Sequence, residues 1–200
     1  MLKKTNLLYW FVTSLFLLVI CGCGSTSPRT PIYSAAGFQM ESIPQLAILP
    51  PYDSRFDKKE KVDIKKVQEK SSKMIQKKGY VITEVPVGVE AVRIDEDELK
   101  SPNKVFINNL CPAEKNRYIM VINILDVSTK LTFGSTGNAE ISGYVFDKDA
   151  GITVWHDKGI GSTGQGGLLG MIMKSGMDDE AISIALYNLF SSIPEKKAVQ

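Results

Sequence analysis

The chain has 200 residues, a formal net charge of +2 and 44% hydrophobic residues. This size and composition suit one globular domain that can bury a core of its own. The near neutrality argues against a nucleic-acid-binding protein, because such proteins depend on clustered basic side chains. The three cysteines do not form a disulfide framework, and Cys111 is interpreted as a small buried side chain.

Residues 1–22 are predicted to be a lipoprotein signal peptide. Lys3 and Lys4 form a short positive region, and an uncharged stretch of 14 residues follows from Leu7 to Ile20. A membrane-spanning helix needs about 20 apolar residues, so this stretch is typical of an export signal. A membrane anchor that is never cleaved is the alternative.

The signal ends in Ile20-Cys21-Gly22-Cys23, which resembles the bacterial lipobox. A small residue must precede the modified cysteine, and only Cys23 is preceded by one. The resemblance implies that Cys23 carries a diacylglycerol and an acylated amino group, which together hold the protein stably in a lipid bilayer. Because Gly24 follows, and not an aspartate, the expected location is the cell envelope, at the outer membrane and facing the periplasm.

The mature chain is predicted to have three parts. Residues 23–44, rich in serine, threonine and proline, form the lipidated cysteine and a flexible tether. Residues 45–193 form a single α/β domain, and residues 194–200 form a disordered tail. The mature chain has 22 basic and 22 acidic residues and therefore no net charge.

The domain is predicted to open with a β-α-β unit. An apolar strand over 46–49 is ended by two prolines, a helix follows over 58–78, and a second strand covers 80–85. Gly79 lies where a helix C-cap belongs. A strand, a helix and a strand at this spacing predict two parallel strands joined by a right-handed crossover.

The second half of the domain is predicted to be a three-strand antiparallel meander followed by a helix. After a short helix that begins within 95–98, strands are predicted over 118–133, 139–147 and 152–158. On the first strand, the odd-numbered apolar residues are expected to share one face. Asp178 or Asp179 is expected to cap the last helix, whose apolar stripe is Ile182, Ala185, Leu186, Leu189, Phe190 and Ile193. The predicted fold is of the α/β (α+β) class, a mixed β-sheet with helices packed on it.

The segment Gly159-Ile-Gly161-Ser-Thr-Gly164 has the G-x-G-x-x-G spacing of a dinucleotide-binding loop. Such a loop requires its glycines between a parallel strand and a helix of a βαβ unit. Here the preceding strand belongs to an antiparallel meander, and no strand is predicted after the last helix. The sequence therefore predicts that no nucleotide binds.

The tetrapeptide Gly-Ser-Thr-Gly occurs twice, as Gly134, Ser135, Thr136 and Gly137 and again as Gly161, Ser162, Thr163 and Gly164. In a three-strand meander the first turn and the exit of the third strand lie at the same end of the sheet. The two segments are therefore predicted to be neighbouring loops. Each composition alone is typical of a turn. Together the loops are a candidate contact surface for a protein partner.

Catalytic and metal-binding patterns are weak. His156 is the only histidine and is interpreted as structural, and no serine lies in a G-x-S-x-G motif. Asp147-Lys-Asp149-Ala-Gly151 resembles a calcium loop, but Lys158 stands where a glutamate is required. We therefore expect no enzyme, no metal and no cofactor. The nine lysines within 58–78 form either a solvated face or a surface attracted to anionic headgroups.

Four motifs occur in order along the domain: Leu46-Ala-Ile-Leu-Pro-Pro51, Lys78-Gly-Tyr-Val81, Asp147-x₃-Gly151-x₃-Trp155 and Gly166-Gly-Leu-Leu-Gly170. On these motifs the chain resembles a family of small bacterial lipoproteins of unknown function. Members are similar in fold to the amino-terminal domain of TolB and to lipoproteins that accompany curli-type secretion channels. The resemblance implies a TolB-like sandwich and supplies no catalytic residues.

These observations predict a membrane-anchored, non-catalytic adaptor or accessory factor in cell-envelope assembly or surface secretion. Its expected partners are the lipid bilayer, through Cys23, and an envelope or secretion protein. Neither nucleic acid nor nucleotide is expected as a partner. The alternative function is a small-molecule or glycan-binding periplasmic module.

Overall fold

The computed structural model describes residues 29–86, 96–110, 115–132, 134–166 and 176–196. The predicted signal peptide, Cys23 and Cys111 lie outside these ranges. Among the described residues, no helix combines the length and the apolar character that crossing a membrane requires.

Seven strands form one mixed sheet. They are β1 (Tyr33–Ser34), β2 (Leu46–Ile48), β3 (Tyr52–Asp53), β4 (Ile82–Glu84), β5 (Tyr118–Thr132), β6 (Gly134–Asp147) and β7 (Ile152–Gly166). Their order across the sheet is β1-β7-β6-β5-β2-β4, and β3 pairs with β5 beside β2. Strand β2 is parallel to β4 and β5, whereas β5, β6 and β7 form an antiparallel meander. The predicted α/β (α+β) class, the parallel β-α-β pair and the meander are confirmed.

Four α-helices accompany the described strands: α1 (Ile64–Lys77), α2 (Glu96–Lys100), α3 (Lys104–Leu110) and α4 (Met177–Phe190). Helix α1 begins six residues later than predicted because Asp63 caps it, its carboxylate accepting the N–H of Lys66 at 3.1 Å. After its C-terminus, Gly79 has a φ of +88°, as expected of a C-cap glycine.

The N-cap of helix α4 lies two or three residues before the predicted caps. Gly176, with a φ of +98°, precedes its first residue, Met177. Asp178 and Asp179 therefore lie in the first turn, where carboxylates still interact favourably with the helix dipole. All six residues of the predicted apolar stripe are buried, so the orientation of this helix is confirmed.

The sheet separates two apolar cores. Helices α1 and α4 cover one face, on which Met120, Ile122, Ile124 and Val127 of β5 are buried. Helices α2 and α3 cover part of the other face, where the core residues include Leu99, Ile107, Ile119, Val121, Tyr144 and Phe146. Burial on both faces explains why the first half of β5 is apolar at every position but one.

A register shift between Ile124 and Asp126 corrects one prediction about β5. The extra residue, Leu125, reverses the alternation of side chains along the strand. Val127 therefore joins the core of the even-numbered residues and not that of Ile119 and Val121. The prediction that the odd-numbered apolar residues share one face is wrong beyond the bulge.

Candidate interaction surface

The distal parts of β5, β6 and β7 extend beyond the rest of the sheet. Strands β2 and β3 pair with β5 only as far as Ile124, and β1 pairs with β7 only at Trp155 and His156. We call the three-stranded extension the arm. It comprises residues 126–132, 134–140 and 160–166.

The two Gly-Ser-Thr-Gly segments are hydrogen-bonded neighbours within the arm. Thr136 lies opposite Gly164, Gly137 opposite Thr163, and Gly134 opposite Gly166. The prediction that the segments are neighbours is confirmed. They lie in strands and not in loops, because β6 and β7 continue in register past the predicted strand ends.

Helix α4 rests directly on the glycines of this region. A β carbon added to Gly161 would lie 1.9 Å from the carbonyl oxygen of Ala181, and one added to Gly137 would lie 2.8 Å from that of Met177. The adjacent Gly159 has the same relation to Ala185, at 1.9 Å. These glycines therefore allow the backbone of a helix to approach the sheet.

The repeated segments divide into packed and exposed residues. Ser135 is buried, with its hydroxyl 2.7 Å from the sulfur of Met177. Thr136 is half-buried, and so is Thr163, whose hydroxyl donates to Glu180 at 2.9 Å. Ser162 and Gly164 are exposed. Among the seven residues of the two tetrapeptides whose burial is described, these two offer the most accessible surface to a partner.

The outer edge of β7 is occupied at its start and open at its end. The carbonyl oxygens of Val154, Lys158 and Ile160 point away from β6. They accept hydrogen bonds from the N–H of Ala35 at 3.0 Å, the guanidinium of Arg29 at 2.8 Å and the side-chain amide of Asn188 at 2.7 Å. Because the direction alternates along a strand, the peptide groups of Ser162 and Gly164 point outward as well. Beyond Ile160, no strand among the described residues pairs with this edge.

The polypeptide that follows the predicted lipidation site is held against β7. The Arg29 guanidinium pairs at 2.7 Å with the carboxylate of Asp157, which is fully buried. Four residues later β1 joins the sheet, and Ile43 is completely buried. We call residues 29–43 the strap. These residues belong to the predicted flexible tether. In the structure they pack on the domain instead, through β1 and the buried Ile43.

A pocket of about 410 Å³ opens where the strap crosses β7. The imidazole of His156 stacks on the buried ring of Tyr144 with their centroids 4.2 Å apart. Such packing is expected of a structural histidine. The pocket is lined by Tyr33, Lys100, Ser101, Pro102, Tyr144, Ile152, Thr153 and His156.

The segment that resembles a calcium loop is a hydrogen-bonded turn. The Asp147 carboxylate accepts from the Arg117 guanidinium at 2.6 Å and from the N–H groups of Asp149 and Ala150 at 3.0 and 3.2 Å. Gly151 completes the turn with a φ of +69°. Burial raises the pKa of Asp147, but the bonds from Arg117 and the turn lower it by more, so the pKa lies below its usual value.

Several lysines of the 58–78 segment hold the helices together. Lys66 pairs with Asp179, Lys70 donates to the hydroxyl of Ser183 at 2.7 Å, and Lys78 donates to the carbonyl of Ile193 at 2.7 Å. Burial lowers the pKa of Lys70. These lysines join α1 to α4 and to the segment that follows α4, so the lysine-rich face is partly committed to packing.

No family model matches the chain, and no curated protein matches it significantly. Among solved structures, a PelC dodecamer from Paraburkholderia phytofirmans is 12% identical, with 82% of this chain and 95% of that chain covered and a TM-score of 0.48. Lipoprotein GNA1162 from Neisseria meningitidis is 14% identical, with coverages of 68% and 96% and a TM-score of 0.44. A minor lipoprotein from Acinetobacter baumannii is 8% identical, with coverages of 78% and 97% and a TM-score of 0.36.

Proposed function

We propose that this protein is a lipid-anchored, non-catalytic adaptor of the bacterial cell envelope, acting in envelope assembly or surface secretion. Cys23 is its lipidation site, and the anchor holds it at the outer membrane, facing the periplasm. The partner is an envelope or secretion protein that binds the arm at the open edge of β7. The two Gly-Ser-Thr-Gly segments lie side by side in the arm, and Ser162 and Gly164, at its outer edge, contact the partner.

The observation that carries this proposal is the edge of β7 beyond Ile160, with which no strand in the described part of the chain pairs. Ser162 and Gly164, whose peptide groups point outward, are exposed residues, and no charged residue or proline lies between Gly159 and Gly166. Sheet edges are commonly blocked by lysine, proline or a covering element, since an open edge pairs readily with another chain. A partner segment in extended conformation gains main-chain hydrogen bonds there, and the small side chains do not obstruct it.

The test is site-specific photo-crosslinking in intact cells. A photoreactive amino acid at Ser162 is expected to give a discrete crosslinked species, whereas the same residue at Val105, which is 68% exposed on α3, gives none. Equal crosslinking from the two positions contradicts the assignment of the β7 edge.

One observation favours a second function, a small-molecule or glycan-binding module. The pocket beneath the strap combines the half-exposed ring of Tyr33 with polar side chains, a combination suited to a sugar. A soluble N-acetylglucosamine oligomer is the probe. Saturable binding that Thr153→Trp abolishes by filling the pocket supports the module, and the absence of binding leaves the adaptor as the better account.

A further inference from the structure

Most of the large apolar side chains that the described residues expose lie at one edge of the sheet. Eight such side chains are exposed in these ranges. Five of them lie close to this edge: one just before β1, one in β1, two in β7 and one in helix α4 beside β7. We call these five residues the edge patch: Ile32, Tyr33, Ile152, Ile160 and Tyr187.

Contacts of the patch residues, or of their neighbours in the chain, place the edge patch along β7. Tyr33 pairs with His156 of β7 and shares a pocket with Ile152. Ile160 follows His156 by four residues along the same strand, a distance of about 13 Å. Tyr187 precedes Asn188, whose amide donates to the carbonyl of Ile160 at 2.7 Å. The patch therefore follows the outer edge of the sheet from the start of β7 to the base of the arm.

The length of chain before the strap places this edge near the bilayer. Arg29 is fixed to the domain by its pair with Asp157 and its bond to the carbonyl of Lys158. Six peptide steps separate Cys23 from Arg29, and an extended chain advances about 3.5 Å per step, so their Cα atoms are at most about 21 Å apart. A lipidated Cys23 therefore keeps Arg29, and the edge patch beside it, close to the headgroups.

We infer that the edge patch is a membrane-contact surface that docks the domain edge-on against a lipid bilayer. This inference rests on the proposed lipidation of Cys23. Tyrosine suits the interface between headgroups and acyl chains, and isoleucine gains by leaving water for the acyl boundary. In this orientation β5, β6 and β7 lie along the membrane surface. The arm extends beyond the patch along the membrane surface, so a partner segment paired at Ser162 and Gly164 lies at the level of the headgroups.

The opposite edge of the sheet supplies a control. Strand β4 lies five strand spacings from β1, about 24 Å away at the usual spacing of 4.8 Å. Val81, beside β4, is 58% exposed, comparable with Ile160 at 63%. A probe at Val81 therefore samples a similarly exposed apolar position on the side that faces away from the bilayer.

The test uses the full lipidated protein in phosphatidylcholine vesicles that contain a nitroxide headgroup lipid. In a Cys111→Ser background, Tyr187→Cys and Val81→Cys are each labelled with an environment-sensitive fluorophore, and lipidation is verified by mass spectrometry. We expect the nitroxide to quench position 187 at least threefold more than position 81. We expect the double substitution Ile32→Ser and Ile160→Ser to lower the quenching of the fluorophore at position 187 towards that of the fluorophore at position 81.

The outcomes separate this inference from the proposed function. Lipidated protein that is quenched equally at both positions, or more at 81, overturns edge-on docking and leaves the anchor intact. A difference that survives Ile32→Ser with Ile160→Ser also overturns the inference, because the tether alone then orients the domain. A chain whose mass shows no lipid contradicts the proposed anchor, and this inference with it.

Discussion

A β carbon on Gly161 would lie 1.9 Å from the carbonyl oxygen of Ala181. Side-chain carbons do not approach a backbone oxygen so closely, so α4 lies on β7 only because residue 161 is glycine. Gly159 and Ala185 repeat the relationship one turn along the helix. Helix packing thus accounts for the first two glycines of the spacing that resembles a nucleotide loop, and Gly164 does not take part in it.

Gly161→Ala is expected to destabilise the domain. The added methyl forces α4 away from the sheet, and overpacking of this kind typically costs about 1–3 kcal/mol. Gly164→Ala is the matched control, because its nearest neighbour would be 3.6 Å away, an ordinary contact. Urea denaturation of both variants checks the prediction. Equal midpoints for Gly161→Ala and the wild type would show that α4 does not pack here.

Arg29→Ala is expected to loosen the strap. It leaves the carboxylate of Asp157 buried without its ion partner, a loss of about 1–3 kcal/mol given that Arg29 is half exposed. Adding Asp157→Asn to this variant should recover part of the stability, since the buried charge is then removed. Thermal denaturation measures the midpoints, and hydrogen exchange at Tyr33 and Ala35 follows the strap. The prediction fails if exchange at these two amides is unchanged in Arg29→Ala.

We expect Asp147 to make the free energy of unfolding depend on pH in the acid range. Its folded-state pKa lies below the unfolded value of about 3.9, so its stabilisation is complete above that value and is lost as the pH falls through the folded-state pKa. Asp147→Asn should therefore be less stable than the wild type at pH 7, and the difference should shrink as the pH falls below the unfolded value of about 3.9. Asp149→Asn, at an exposed carboxylate, is the control. A difference that stays constant with pH would contradict the assigned role.

Cys23→Ala is expected to abolish lipidation. Labelling cells with a palmitate analogue should mark the wild type and Cys21→Ala but not Cys23→Ala, because only Cys23 follows a small residue. The unlabelled variant should no longer partition into detergent with the membranes. If labelling is lost in Cys21→Ala and kept in Cys23→Ala, Cys21 is the lipidated residue and the prediction is wrong.

Five of the described strands, β2 and β4 to β7, could be predicted because each leaves a local signal, whereas the two-residue strands β1 and β3 and the pairing of β2 with β5 could not. Alternating apolar residues mark β6 and β7, and the uninterrupted apolar start of β5 indicates a central strand. The bulge at Leu125 could not be predicted, since one additional residue in a long strand changes no local pattern. Its effect on Val127 is visible only in the packed sheet.

The structure of the candidate interaction surface was only partly predictable, for a different physical reason. Gly, Ser and Thr favour turns, and the same small side chains also allow a helix to lie on a strand. Only the tertiary contact between Gly161 and Ala181 distinguishes the two roles. The packing of the strap has one indication in the sequence. Asp157 lies in a strand after the apolar Val154-Trp155, and a carboxylate buried there needs a partner. That partner, Arg29, lies 128 residues away in sequence.

The outward N–H of Ser162 offers the most direct test of the partner edge. Ser162→Pro removes that donor and leaves the ladder to β6 intact, and proline is tolerated on edge strands when its nitrogen faces solvent. Ser162→Ala is the control, because it removes the hydroxyl and keeps the N–H. The measurement is the yield of the complex crosslinked in cells through a photoreactive residue at Gly164, with lipidation and thermal midpoint recorded for each variant. We predict that Ser162→Ala retains the complex and that Ser162→Pro, folded and lipidated, loses it. Equal yields from the two folded variants would contradict partner binding at the edge of β7.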